Sequence, residues 1–278
     1  MDNSWRTLYL CDLDGTLLGR NGRISEHSLG ILNQMIENGL AFTYATARSV
    51  HSARIVTQGL TLRLPVIVYN GCMLLNPNSG ERFFSLTFTG AQCDRIRALI
   101  RVGTGLLVYA WIDGAERVSW LFGQENEGLL HYLSSRKNDP RLRPVNTFDT
   151  LFDGQPFYFT FVGEQADLAP LYRQLVQDTA YTCTFQQELY RPEYWLEIMP
   201  RRATKAEAAR TLKQMLGFSR MIAFGDAVND LALFETADEA YAVANAADAL
   251  KKRANAVIAS NDADGVALWL AANSEIPT

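Results

Sequence analysis

The chain has 278 residues, more than one typical domain, so we expect one large or two modest domains. Its 26 basic and 30 acidic residues give a formal net charge of −4, which argues against a general nucleic-acid-binding protein. No run approaches the ~20 apolar residues of a membrane span, and the N-terminus lacks the apolar region of a signal peptide. The four cysteines form no Cys-x-x-Cys pair and are expected to be reduced thiols. These features predict a cytoplasmic protein with neither a nucleic acid nor a membrane as partner.

Strands alternate with helices in the first third of the chain, which predicts right-handed crossovers and a parallel sheet. Short apolar runs predict strands at residues 8–11, 41–45 and 66–69. Ser25 and Ser49 are the predicted N-caps of helices that run to about residues 38 and 58. Residues 76–80 are rich in turn formers, so we interpret them as a linker at which this alternation stops.

Residues 80–199 have a different pattern, with mixed strands, a hairpin and two or three helices. Apolar runs at 106–112 and 117–122 flank Asp113-Gly114, a dipeptide typical of hairpin turns. A charged, proline-containing loop is predicted after a helix near residues 125–134. The pattern indicates an α+β insert that is large enough for its own core.

The regular alternation resumes after residue 200. Thr204 and Glu207 form a capping-box pattern that predicts a helix to about residue 216. Further strands are predicted at residues 221–224, 241–244 and 257–259, and a last helix from residue 265. The predicted fold class is therefore α/β, a Rossmann-like parallel sheet with helices on both faces. This core would be discontinuous, at residues 1–79 and 200–278, with an inserted α+β domain at 80–199.

Two carboxylates one residue apart follow the first predicted strand. Ligands of open parallel sheets bind at the carboxyl ends of the strands, where Asp12 and Asp14 lie. Burying both charges is costly unless a cation neutralises them, and Mg²⁺ prefers carboxylate and phosphate oxygens. A polar turn without a ligand is the alternative. A calcium loop is excluded, because Leu17 and Arg23 stand where that motif needs Gly and Glu.

Other polar residues are predicted at the same edge of the sheet. Thr46, Asn70 and Asp226 each follow a predicted strand. Lys205 lies in the first turn of a helix, where a cation opposes the helix dipole by ~0.3–1 kcal/mol unless an anion binds beside it. Each residue alone has a simpler interpretation, as a strand threonine or a surface lysine. Their joint placement predicts a site for an anion and a metal.

The arrangement resembles the haloacid dehalogenase superfamily of phosphohydrolases, and within it the Cof-type sugar-phosphatase branch. The resemblance runs the length of the chain and rests on Asp12-Leu13-Asp14-Gly15-Thr16, Ala45-Thr46-Ala47-Arg48, Lys205, and Gly225-Asp226-Ala227-Val228-Asn229-Asp230. Asn70-Gly71 and a tail that includes Asn245 and residues 261–267 also fit. Ala47, Ala206 and Ala227 stand where glycine is usual in the family, a departure that removes no reacting group. The resemblance implies that the insert is a cap that selects the substrate.

The resemblance also implies a role for each matching residue. Asp12 would be the nucleophile that forms an aspartyl-phosphate, and Asp14 would be the general acid and base. The phosphate-binding residues would be Thr46, Lys205 and Asn229. The ligands of Mg²⁺ would be Asp12, Asp14 (through its backbone carbonyl), Asp226 and Asp230. The expected substrate contacts are Arg48, Asn70 and Arg191, with Trp111, Asp113 and Tyr194 as further candidates in the cap.

The function that follows is Mg²⁺-dependent hydrolysis of small phosphorylated metabolites. Sugar phosphates are expected first, and phosphorylated cofactors next. A phosphomutase is the alternative enzyme, because Asp14 could serve either reaction. A non-catalytic module that binds a phosphorylated metabolite is the alternative from another class. The protein is expected to be a monomer or a weak homodimer.

Overall fold

The computed structural model describes residues 7–100, 103–187 and 191–274. It divides into two compact units, Met1–Ser85 with Thr204–Thr278, and Leu86–Ala203. We call the first unit the core and the second the insert. The domain boundaries predicted from the sequence, 79/80 and 199/200, lie a few residues before the boundaries of these two units. Part of the first difference arises because the strand at Arg82–Ser85 pairs with a strand of the core.

The first segment of the core contains five strands and two helices. The strands are β1 (Thr7–Cys11), β2 (Phe42–Tyr44), β3 (Val66–Val68), β4 (Met73–Leu75) and β5 (Arg82–Ser85). The helices are α1 (Glu26–Glu37) and α2 (Val50–Val56). The predicted caps are confirmed, because the Ser25 and Ser49 hydroxyls accept hydrogen bonds from the Ser28 and Ser52 amides at 2.9 and 3.1 Å.

The predicted linker at residues 76–80 is wrong. These residues join β4 to β5, and the two strands pair antiparallel beside β3. The Asn76 amide donates to Glu81 O at 2.7 Å, which closes the turn. A turn-rich segment therefore marks a hairpin here, and strand β4 was not predicted because it directly precedes that segment and is defined by its pairing with β3 and β5.

The described part of the insert contains six strands and three α-helices. The strands are β6 (Leu106–Ile112), β7 (Ala115–Leu121), β8 (Leu142–Val145), β9 (Gln155–Gly163), β10 (Tyr181–Gln187) and β11 (Tyr194–Pro200). The helices are α3 (Gly90–Leu99), α4 (Glu127–Ser134) and α5 (Gln165–Leu175). The sheet order is β10-β11-β9-β6-β7-β8. Phe159 and Phe161 of β9 share an apolar cluster with Ile96 of α3 and Leu168 of α5, so the insert has its own core.

One prediction in the insert is wrong and another is confirmed. The proline-containing loop includes β8, an edge strand parallel to β7, and an edge position tolerates Pro144 because proline lacks an amide donor. The hairpin β6–β7 turns at Asp113-Gly114 as predicted, and Asp113 has the positive φ of 50° that this turn requires.

The second segment of the core contributes three strands and four helices. The helices are α6 (Lys205–Met215), α7 (Leu231–Thr236), α8 (Asp248–Lys251) and α9 (Gly265–Asn273). The strands are β12 (Arg220–Gly225), β13 (Glu239–Val243) and β14 (Ala256–Ile258). The core sheet has the order β14-β13-β12-β1-β2, and all of these pairs are parallel. A parallel bridge from Ala45 to Ile67 joins β3 to its edge.

The predicted α/β fold class is confirmed. The chain moves from β1 to β2 in one direction and from β12 to β13 in the other, so right-handed crossovers place α1 and α7 on opposite faces of the sheet. Helix α9 packs against α1, and α6 packs against α7. Strand β1 is central and has buried residues throughout Leu8–Cys11, which explains its continuous apolar sequence. Across residues 7–100, 103–187 and 191–274, no helix combines the length and apolarity needed to cross a bilayer.

A carboxylate fastens the start of α9 to the start of α1. Asp264 accepts hydrogen bonds from the Ser25 and Ser28 hydroxyls and contacts the His27 ring at 3.0 Å. Partial burial alone would raise the pKa of Asp264, but these hydrogen bonds outweigh burial and lower it. The contact joins the two segments of the core, which are more than 230 residues apart along the chain.

Replacement of Asp264 with Asn is expected to lower the free energy of unfolding by about 1–2 kcal/mol at neutral pH, because the acceptor becomes a neutral amide instead of a charged carboxylate. Asn tolerates the positive φ of 55° at this position, so backbone strain should not contribute. The lowered pKa means that the native stabilisation is present above about pH 3.9 and is lost as the pH falls through the folded-state pKa. Urea unfolding at several pH values would measure this difference.

The matched control for this prediction is Asp262→Asn. Asp262 pairs with Arg20, whose side chain is 90% exposed, so its loss should change stability by less than about 1 kcal/mol. Equal losses in the two variants, or a deficit in Asp264→Asn that persists in acid, would contradict the proposed fastening.

Candidate active site

The carboxyl end of the central strand presents Asp12 between two neighbouring strands. The Asp12 amide donates to Phe224 O of β12 at 2.9 Å, and Cys11 O accepts from the Ala45 amide beyond β2 at 2.9 Å. These backbone bonds fix the direction in which the chain leaves the sheet. Asp12 is 5% exposed, so its carboxylate lies in a buried environment.

A five-residue turn (Leu13–Leu17), closed by an i→i+5 hydrogen bond but not helical at Asp14 and Gly15, follows Asp12, and we call it the π-turn. The Leu18 amide closes it by donating to Leu13 O at 2.8 Å. Gly15 has a φ of 76°, and a Cβ at this position would lie 2.2 Å from Asp226 Oδ2. Glycine is therefore required on both grounds. The next residue, Thr16, donates its hydroxyl to Asp226 Oδ1 at 3.1 Å, so the π-turn packs directly on the end of β12.

Three carboxylates meet beside the π-turn. Oxygens of Asp12, Asp226 and Asp230 lie within 4.8 Å of one another, and we call this group the acidic cluster. Lys205 contacts it from α6, with its Nζ donating to Asp12 Oδ1 and to Asp230 Oδ1, the latter at 2.8 Å. The Lys205 side chain is 3% exposed and that of Asp230 is 0% exposed. Three carboxylates against one ammonium group leave the cluster with excess negative charge.

Two features hold Lys205 in place. The Thr204 hydroxyl caps α6 by accepting from the Glu207 amide at 3.1 Å. Gly71, with a φ of 98°, lies so close to α6 that a Cβ would be 2.2 Å from Thr204 O. This close approach fixes the start of α6 against the end of β3. The unfavourable position of Lys205 in the helix dipole is offset by its two carboxylate partners.

The pKa values in the acidic cluster reflect its burial and charge. Burial raises the pKa of Asp12 well above its ordinary value, Lys205 opposes that rise, and Asp230 and Asp226 add to it. Burial and the charge of Asp230 raise the pKa of Asp226 to about 6. Burial alone would lower the pKa of Lys205, but attraction to Asp12 and Asp230 raises it. The pKa shifts of the two aspartates come first from burial and then from neighbouring carboxylates, while the raised pKa of Lys205 reflects the negative charge around it.

The donor set of the acidic cluster fits a hard divalent cation. Its three side chains offer carboxylate oxygens, the ligands that Mg²⁺ and Ca²⁺ prefer, and no sulfur or imidazole ligand belongs to the group. A divalent ion would offset the excess negative charge that Lys205 leaves. The Asp14 carboxylate lies outside this group of oxygens, and the metal contact expected for Asp14 concerns its backbone carbonyl.

Arg48 orients the carboxylate of Asp14. Its Nε donates to Asp14 Oδ2 at 2.8 Å and its Nη2 to Asp14 Oδ1 at 2.6 Å, a bidentate pair. The Asp14 side chain is 54% exposed, so it is accessible to a substrate. Arg48, which is expected from its sequence position to contact the substrate, binds the predicted acid and base in this structure.

The other predicted site residues divide into two groups. Thr46 and Asn70 are buried near Arg48: the Thr46 hydroxyl accepts from the Arg48 amide at 3.1 Å, and the Asn70 amide donates to Thr46 O at 3.0 Å. Asn229 is exposed, next to Asp230. Arg191 lies in the insert and forms a bidentate pair with Glu193 at 2.6 and 3.0 Å. Helix α2 starts at Val50 and is capped by Ser49, so three residues separate Thr46 from the first residue of that helix.

Three residues whose roles were not predicted from the sequence tie the π-turn to the rest of the core. Thr16, within the π-turn, donates to Asp226, as described above. Asn245 donates to Gly15 O at 2.7 Å, and Asn261 donates to Leu18 O at 2.8 Å. The two asparagines belong to the tail that fits the family resemblance, which was the available signal. Their target became visible only with the fold.

Comparison with known proteins identifies related sequences along nearly the whole chain. A family model described as haloacid dehalogenase-like hydrolase matches residues 9–270. A Bacillus subtilis protein named 5-amino-6-(5-phospho-D-ribitylamino)uracil phosphatase is 25% identical over 266 residues, which cover 95% of this chain and 96% of the relative. HMP-PP phosphatase of Klebsiella pneumoniae is 27% identical over 250 residues, which cover 86% and 85%.

Solved structures share the fold. A crystal structure of a Thermotoga maritima protein has a TM-score of 0.75 at 24% identity, covering 98% of both chains. A haloacid dehalogenase-like hydrolase from Bacteroides thetaiotaomicron has a TM-score of 0.74 at 24% identity, covering 95% of this chain and 97% of its own. The likeness extends over the core and the insert alike.

Replacement of Lys205 with Met is expected to lower the free energy of unfolding in EDTA by about 3 kcal/mol or more, because the acidic cluster loses its buried counter-charge. Urea unfolding with and without Mg²⁺ would measure the loss, and a divalent cation should restore part of it.

The control for this prediction is Lys213→Met on the same helix. Lys213 pairs with Asp238, whose side chain is 46% exposed, so this variant should lose no more than about 1 kcal/mol and should not respond to Mg²⁺ differently from the wild type. Equal losses for the two lysines would contradict the role of Lys205 as counter-charge.

Proposed function

The chain belongs to the haloacid dehalogenase-like hydrolase family, and we propose that it is a Mg²⁺-dependent phosphatase of small phosphorylated metabolites, sugar phosphates first. Its membership and its phosphatase relatives make it a phosphoric monoester hydrolase. The metal, the roles of individual residues and the substrate are our proposals. The observation that supports them best is the acidic cluster with its single lysine, next to an accessible carboxylate on the π-turn.

Asp12, Asp226 and Asp230 would hold Mg²⁺, together with the backbone carbonyl of Asp14. The support is the excess negative charge of a buried group made of hard oxygen donors. Bound there, Mg²⁺ would reduce the repulsion between an anionic nucleophile and an anionic phosphate ester.

Asp12 would attack the phosphorus atom and form an aspartyl-phosphate, with release of the alkoxide. Its position at the end of β1, fixed by backbone bonds to both neighbouring strands, supports this role. Lys205 keeps a positive charge beside Asp12, which favours the ionised carboxylate that attack requires. Water would then hydrolyse the aspartyl-phosphate and regenerate Asp12.

Asp14 would donate a proton to the leaving alkoxide and then remove one from the attacking water. Its exposure and its place on the π-turn, two residues after Asp12, support this role. Arg48 would hold the carboxylate of Asp14 in a fixed plane through the bidentate pair. Arg48 would thereby act on the reaction through Asp14 as well as through the substrate.

The phosphoryl group would be bound by Thr46, Lys205 and Asn229. Lys205 supplies a buried positive charge at the nucleophile, which supports its contact with phosphate oxygens. Exposure of Asn229 next to the acidic cluster leaves its amide available to a ligand. Asn70 and Arg191 would contribute to recognition of the rest of the substrate.

Sugar phosphates are the substrate class that we propose first. The name of the Bacillus subtilis relative describes a phosphate on a ribityl chain, which is a polyol phosphate. This protein aligns with that relative over 95% of its own length, which supports the same kind of ester as its substrate. Compact esters of this kind suit a phosphatase of small metabolites.

Purified protein is expected to release phosphate from p-nitrophenyl phosphate and from several hexose or pentose phosphates, to stop in EDTA, and to recover with Mg²⁺. Phosphate release in step with substrate loss, across a panel that includes phosphorylated cofactors, would measure both metal dependence and substrate class. Turnover that is indifferent to chelation would refute the metal role. Isomerised sugar phosphate without free phosphate would indicate a mutase instead.

Replacement of Asp12 with Asn is expected to lower kcat by about 10³-fold or more, because a nearly isosteric amide cannot form the acyl phosphate. The variant should still fold, which thermal unfolding would verify. Asp262→Asn, an exposed aspartate paired with Arg20, is the control and should keep wild-type activity. Substantial activity in Asp12→Asn, with mass spectrometry excluding deamidation back to Asp, would disprove the covalent mechanism.

A further inference from the structure

A turn from the far end of the core reaches back to the π-turn. Asn245 follows β13, and its Nδ2 donates to Gly15 O at 2.7 Å, across 230 positions of sequence. We propose that Asn245 is a positioning residue that sets the placement of Asp14 through this bond to the π-turn. The inference rests on the proposed function, in which Asp14 is the acid and base.

Both the oxygen and the nitrogen of the Asn245 side-chain amide form hydrogen bonds. The Oδ1 atom accepts from the backbone amide of Asn261 at 3.1 Å, while the Nδ2 atom donates to Gly15 O. Asn261 in turn donates its own Nδ2 to Leu18 O at 2.8 Å, directly after the π-turn. The orientation of the Asn245 side chain is therefore fixed, and the chain is held in the middle of the π-turn and just beyond its end.

The same turn also holds the metal-site aspartate. The Ala247 amide donates to Asp226 O at 2.7 Å, two residues from Asn245. Thr16 of the π-turn donates to the Asp226 carboxylate at 3.1 Å. Residues 245–247 thus bridge the π-turn and Asp226, so Asn245 sets the distance between the loop that carries Asp14 and the acidic cluster.

Gly15 makes this contact important for geometry. Glycine has the greatest backbone freedom of any residue, and Gly15 lies directly after Asp14. Its contact with Asp226 requires that it lack a Cβ, so no side chain of its own can restrict it. Asn245 supplies that restriction from outside by fixing the peptide that follows Gly15.

The bond should matter more to rate than to stability. Asn245 is exposed, and an exposed hydrogen bond contributes little to the free energy of unfolding. A displacement of about 1 Å in a catalytic group can nevertheless cost about 10²-fold in rate. A residue that holds such a group therefore gives a kinetic effect without a matching loss of stability.

The test compares leaving groups in Asn245→Ala. An alkyl phosphate such as glucose 6-phosphate needs a proton from Asp14 for its alkoxide, whereas p-nitrophenolate leaves without one. We expect kcat/KM to fall about tenfold or more for the sugar phosphate and less than about threefold for p-nitrophenyl phosphate. Asn245→Asp, which keeps the size but loses the donor, should show the same selective loss and serves if the alanine variant folds poorly.

The matched control is Asn273→Ala. Asn273 is also exposed and donates its Nδ2 to a backbone carbonyl, Trp269 O at 2.8 Å, but it is the last residue of α9 and this bond stays within that helix. Thermal unfolding should be similar for the variants at 245 and 273, while kinetics should separate them. Equal losses on both esters, or kinetics of Asn245→Ala that match those of Asn273→Ala, would overturn the positioning role while the wild type remains active. A wild type that hydrolyses neither ester would refute the proposed function, and this inference with it.

Discussion

The acidic cluster is the constraint on which the core depends. Asp12, Asp226 and Asp230 are brought within 4.8 Å of one another, and Lys205 supplies one counter-charge. Like charges at this distance in a buried site repel strongly unless a cation intervenes. The β1–β12 pairing, the cap of α6 and the close approach of Gly71 all act to hold these four side chains together. These contacts hold together charges that would otherwise repel, at a local cost in stability.

Topology explains how residues so distant in sequence share one site. Strand β1 lies between β2 of the first core segment and β12 of the second, so strand ends from both segments lie side by side in the sheet. The crossovers leave from β1 on one face of the sheet and from β12 on the other, and in open parallel sheets the strand ends at such a point are where ligands generally bind. The insert begins after β5 and ends before α6, so it interrupts none of the pairings of the core sheet.

The sequence was sufficient for elements whose signal is local. The apolar run of β1, the caps Ser25 and Ser49, and the Asp113-Gly114 turn are each determined by a few adjacent residues, and each was predicted correctly. Strands β4 and β8 were missed because β4 adjoins the turn formers of residues 76–80 and β8 contains Pro144, and both are stabilised by their partner strands, which local periodicity does not reveal. The linker at 76–80 was wrong for the same reason, since a turn signal does not say whether the chain returns to the same sheet.

The site residues also differ in whether their signal is local in the sequence or depends on the fold. Carboxylates at strand ends indicated Asp12, Asp14 and Asp226, because the chemistry of those residue types is itself the signal. The partners of the π-turn were not predictable in this way. An asparagine can donate to almost any carbonyl, and what makes Asn245 informative is that the fold places it opposite Gly15.

Polar contacts in the core thus differ in purpose according to their burial. Lys205 is buried and offsets charge, so its removal leaves carboxylates without compensation and affects folding directly. Asp264 is partly buried and joins α1 to α9, so its contribution is structural and depends on its ionisation. Asn245 is exposed and bonds a flexible glycine, so it can change geometry at little cost in stability. Because reaction rates respond to small displacements more steeply than folding does, a bond that contributes little to stability can still affect the proposed reaction.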